Sequence, residues 1–89
     1  MTNAAAPAPR SAAARTRAVK TALAAAGLAD LQIVSVRIRD GYAVDVHGAF
    51  GDDADRAVEV LDGMDWGDRP AQIMGGGWVS WYVPATAWA

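Results

Sequence analysis

The sequence contains no cysteine. No disulfide can staple the fold, and no zinc–thiolate centre can form. A small core without such support depends on close packing, buried aromatics or self-association. The absence of cysteine also fits a cytoplasmic location. No run approaches the roughly 18 apolar residues that a membrane-spanning helix needs. The N-terminus has Ala, Pro and Arg but no Leu- or Val-rich stretch, so it is a poor secretory signal and no membrane role is expected. A single histidine, His47, leaves few ways to build a nucleophilic centre.

What is present fits one small domain in 89 residues. The abundance of Ala, Arg, Asp and Gly matches the codon bias of a GC-rich genome, as in actinobacteria and their phages. Net charge is −2, but it is unevenly spread: residues 1–39 carry +5 and residues 40–89 carry −7. The asymmetry describes either a bipolar surface facing a charged partner or two ends that fold together and mix their charges.

Residues 1–10 lack an apolar period, contain Pro7 and Pro9, and read as a disordered arm. The single domain is expected over 11–89. Ser11 caps a helix running to about Ala26, with Gly27 as its left-handed stop and Leu28 folding back on Leu23. Its buried stripe is read as Ala12, Thr16, Val19, Leu23 and Ala26. Residues 31–39 and 42–50 alternate apolar and polar and form a hairpin. A three-residue loop, Arg39-Asp40-Gly41, would oppose Ile38 to Tyr42, Val36 to Val44 and Val34 to Val46, so that apolar residues meet each other. Ser35, Asp45 and His47 then share the outer face.

A second helix is expected over 52–62, capped by Asp52 or Asp53 and ended by Gly63. Residues 71–74 and 78–83 form a second hairpin around Gly75-Gly76-Gly77, pairing Met74 with Trp78 and Ile73 with Val79. The fold class is therefore α+β in the order α-β-β-α-β-β, with two helices packed on one face of a four-stranded, mainly antiparallel sheet. The sequence does not specify the strand order.

Few patterns in this chain point to chemistry. A Ser35–Asp45–His47 grouping on an open sheet face would lack water exclusion and an oxyanion hole, so no catalytic residue and no enzyme activity is expected. Asp45, His47 and the aspartates at 52, 53 and 55 do not match a calcium loop, and no metal or cofactor is expected. The three glycines lead into a strand with no lysine behind them, unlike a phosphate loop. Gly48-Ala49-Phe50-Gly51 is too short a match to a nucleic-acid-binding G-x-x-G loop to count.

The aromatics carry more weight. Trp66, Trp78, Trp81, Tyr82 and Trp88 fall in the last 24 residues. Alternation puts Trp78 and Tyr82 on one face of the last strand, and Val79, Trp81 and Val83, with Ile73, on the core face. Met74, Trp78, Tyr82 and Trp88 are therefore the expected partner-binding residues of a non-enzymatic interaction module, a homodimer or a binder of another protein. The alternative is a nucleic-acid accessory protein gripping phosphates with Arg10, Arg15, Arg17 and Lys20. A sequence pI near 5.0 argues against it.

Overall fold

The computed structural model describes residues 9, 11–67 and 69–84. Its elements run α1 (Ala12–Ala25), β1 (Gln32–Ile38), β2 (Gly41–His47), α2 (Asp52–Met64), β3 (Gln72–Met74) and β4 (Trp78–Pro84). The four strands form one antiparallel sheet in the order β1-β2-β4-β3. Both helices lie on one face of it, as expected for the α+β class. Among the described residues no helix is long and apolar enough to cross a membrane.

The start and stop of α1 follow from its local chemistry. Ser11 Oγ accepts from the Ala14 amide at 3.1 Å, satisfying one orphan donor of the first turn. At the far end Gly27 takes φ +85°, and the Leu28 and Gly27 amides donate to the Leu23 and Ala24 carbonyls. That is a Schellman closure, and it seats Leu28 in the core.

Helix α2 departs from expectation at both ends. Gly51, not Asp52 or Asp53, occupies the N-cap, and no side chain caps the helix. Asp52, Asp53 and Asp55 instead line the first turn, where the helix dipole favours anions. Gly63 does not end the helix. It continues to Met64, and Asp65 supplies the left-handed residue at φ +61°.

The second hairpin has the expected register, with Met74 opposite Trp78 and Ile73 opposite Val79. Gly76 and Gly77 take φ +84° and +81° in its loop, a backbone shape that side chains resist. Ile73 is not core, however. It sits on the outermost strand and is 53% exposed.

The first hairpin differs from expectation by one residue. Its loop is Arg39-Asp40 alone, so Ile38 opposes Gly41, Arg37 opposes Tyr42, Ser35 opposes Val44 and Ile33 opposes Val46. The slip reverses the faces of β1 relative to β2. Ser35 and Arg37 now lie on the helix side, while Val34, Val36 and Ile38 lie on the other. Two contacts account for this. Gly41 is a strand residue pressed against the Val83 carbonyl and Pro84 Cα of β4, where no Cβ fits. Its missing side chain serves the seam between β2 and β4 rather than a bulge. Arg15 of α1, in turn, takes Ser35 and Tyr42 as its partners on the helix side.

The core fills the space between sheet and helices. Val44, Val46, Val79, Trp81 and Val83 point from the two central strands toward Val19 and Leu23 of α1 and Ala57 and Leu61 of α2. Trp66 stacks on Trp81 with ring centroids 5.7 Å apart. Burial of this apolar surface is the main stabilising term.

Candidate functional site

The face of the sheet opposite the helices is the principal candidate. It is built from alternate residues of all four strands, so backbone pleating alone decides what it displays. From β1 come Val34, Val36 and Ile38, and from β2 come Ala43, Asp45 and His47. From β4 come Trp78, Ser80 and Tyr82, and Met74 comes from β3. No described element packs over it. Val36 is 47% exposed and Ile38 39%.

The aromatic groups on this face are held in place. Trp78 is half-buried and stacks on His47 of the neighbouring strand, with centroids 5.4 Å apart and rings 11° from parallel. The Tyr82 hydroxyl donates to the Asp40 carbonyl at 3.0 Å, pinning the ring against the first hairpin's turn. The Arg69 guanidinium reaches the Tyr82 ring at 5.3 Å. Rings fixed before contact lose little freedom on binding, which favours them as anchors.

Asp45 lies at the centre of the face, opposite Val34 on one side and Ser80 on the other. Its Oδ1 is buried and receives no hydrogen bond among the described residues. A buried acceptor without a donor costs free energy, and such groups are uncommon in native folds.

Met74, Trp78 and Tyr82 do share one surface, and Trp88 lies outside the described residues. The basic grouping fares differently. Arg10 also lies outside the described residues, and Arg17 and Lys20 are exposed. Arg15 is fully buried, which corrects its placement on a phosphate-gripping surface. Its Nε donates to Ser35 Oγ at 3.0 Å, its Nη1 donates to the Pro9 carbonyl at 2.9 Å, and its guanidinium lies 3.1 Å from the Tyr42 ring centroid. The Ser35–Asp45–His47 grouping does not assemble, because Ser35 faces the helices. Among the described residues, no three His, Asp or Glu side chains converge as metal ligands.

Sequence reasoning missed that the apolar face extends across β1 through Val34, Val36 and Ile38. The alternation within β1 is the same in either register, so only the pairing distinguishes the two faces. Arg15 did leave a signal, since Arg15, Val19 and Leu23 follow one another at four-residue spacing along the buried stripe.

A second feature is an open cleft of about 310 Å³ bordered by Asp62, Gly67, Arg69, Pro70 and Trp81. Asp62 Oδ1 already accepts from the Ala71 amide at 2.8 Å, fixing the loop that borders the cleft. Comparison with protein-family models, curated proteins and solved structures found no match.

Proposed function

We propose that this chain is a non-enzymatic interaction module whose helix-free sheet face holds a protein surface, its own or another's. One observation carries the reading: the helix-free face exposes Val36, Ile38 and Met74 and displays the half-buried rings of Trp78 and Tyr82, and no described element covers it. Exposed apolar side chains beside rings already fixed in place are what binding surfaces display. Trp78 and Tyr82, braced by His47 and the Asp40 carbonyl, supply rigid anchors of the kind that dominate interface energetics.

The nucleic-acid alternative is weaker. Arg15 is enclosed, and the centre of the open face carries the carboxylate of Asp45 rather than cations for phosphates. A mobility shift at about 50 mM salt, where phosphate contacts are strong, separates the two readings.

Photo-crosslinking tests the proposal directly. A photoreactive residue in place of Met74 should capture one discrete protein or a second copy of the chain. The same residue in place of exposed Glu59, on the opposite side of the molecule, should capture neither. Adding Trp78→Ala should abolish the Met74 product. Equal capture from both positions would defeat the reading.

A further inference from the structure

We infer that Asp45 and the ring of Trp78 together receive a basic side chain, lysine or arginine, from the protein that the open face binds. The inference rests on the reading of that face as a protein-binding surface, and it adds the chemistry of the contact at its centre.

Register places the two groups. Asp45 opposes Ser80 across the seam between β2 and β4, and Trp78 opposes His47. Asp45 and Trp78 are therefore diagonal neighbours on one face, with backbones about 7–8 Å apart, close enough for one long side chain to touch both. Ser80 is small and leaves room above the seam. From β1, Val34 lies directly opposite Asp45, and Val36 lies diagonal to it.

The seat calls for a positive charge on an apolar stem. Asp45 brings a carboxylate to the middle of the face, yet among the described residues no donor meets its Oδ1. The side chain as a whole is only half-buried, so a partner can approach it. A charged donor arriving there offsets the cost of the unmet acceptor. A tryptophan ring attracts cations through the negative charge of its face, more strongly than tyrosine does. His47 steadies this ring by stacking on it. The Tyr82 ring already has the Arg69 guanidinium at 5.3 Å, which leaves Trp78 to the newcomer. Val34 and Val36 offer apolar contact to the methylenes of a lysine or arginine, which bury their stems and keep a charged tip. A wholly apolar partner would instead strip water from the carboxylate and return nothing. A metal ion needs several ligands, and among the described residues no three His, Asp or Glu side chains converge.

The test uses defined probes. Blocked peptides with a single arginine or lysine between glycines are titrated into the isotope-labelled full chain and followed by NMR. Both should shift the Trp78 indole and Ser80 amide resonances and saturate. A peptide with norleucine in the middle, which keeps the stem and lacks the charge, should bind at least about tenfold more weakly. Asp45→Asn keeps the shape, removes the charge and should weaken the arginine peptide by about tenfold. Trp78→Leu should weaken it by about threefold. Ser80→Lys sets a cation opposite Asp45 within the chain and should block the peptide. It should also raise the folding equilibrium constant at least about twofold more than the same change made beside Asp45→Asn. Equal binding of the norleucine peptide, indifference to Asp45→Asn or Trp78→Leu, no coupling between positions 45 and 80, or no shift with any peptide would each overturn the inference. Those outcomes leave the reading of the face standing if photo-capture from position 74 succeeds. Failure of that capture in the otherwise unaltered chain defeats the reading itself.

Discussion

The guanidinium of Arg15 lies 3.1 Å from the centre of the Tyr42 ring, joining the first helix to the second strand through a fully buried cation. The same side chain holds Ser35 and the Pro9 carbonyl, so the residues just before α1 and both strands of the first hairpin meet on one planar group. Arginine suits this position because its flat fork stacks and donates at once.

Arg15→Ala is therefore expected to destabilise the domain by about 3 kcal/mol, through lost packing and an abandoned hydroxyl and carbonyl. Arg17→Ala, two residues along and exposed, should change stability by less than about 0.5 kcal/mol. Urea denaturation of both variants measures the contrast. Similar midpoints would show that Arg15 is not enclosed.

Two glycines should respond in opposite senses to alanine. A Cβ at Gly41 would run into the Val83 carbonyl, which belongs to backbone and cannot step aside. Gly41→Ala should cost more than about 2 kcal/mol or prevent folding. Gly63 lies inside α2 with open space where its Cβ would go. Gly63→Ala should stabilise by about 0.5–1 kcal/mol. Thermal melts of the pair decide it.

Asp45 gives the third prediction. Its buried Oδ1 has no donor among the described residues, and it stands mid-strand, where a β-branched residue packs well. Asp45→Val should raise stability by about 1 kcal/mol. If the open face binds a protein that supplies the missing donor, the same variant should lose affinity for it. Melting temperature and binding, measured together, would then move in opposite directions, the pattern expected where stability is given up for function.

Trp78→Ala is the fourth. The ring is half-buried on the open face and stacks on His47. Its loss should cost the fold about 1–2 kcal/mol, less than removal of a fully enclosed tryptophan such as Trp81, at about 3–5 kcal/mol. Its loss should abolish capture by a photoreactive residue at position 74. Chemical denaturation beside cross-linking separates the two effects.

The sequence was most informative where local rules decide the structure. The Ser11 cap, the Gly27 stop, the seating of Leu28 on Leu23 and the register around the three glycines all depend on residues within a few positions of each other. It misled where a distant partner decides. Opposing apolar to apolar in the first hairpin is sound when nothing polar awaits on the core side. Here Arg15, twenty residues before Ser35, makes a polar residue the better inward neighbour. Gly41 misled for a similar reason: Asp-Gly reads as a turn, yet the glycine is needed against Val83, forty-two residues later. Of the candidate site, the rings of the last strand were legible from alternation. The contribution of β1 was not, since it appears only once the register is known.

The strand order has a consequence for how the chain divides. Each hairpin contributes one outer and one inner strand, and the two inner strands, β2 and β4, meet along seven residue pairs. A cut in the loop between Met64 and Gln72 would leave two fragments, each with a bare inner edge matched to the other in shape and spacing. Such halves should recombine when mixed, making this fold a natural candidate for a split reporter.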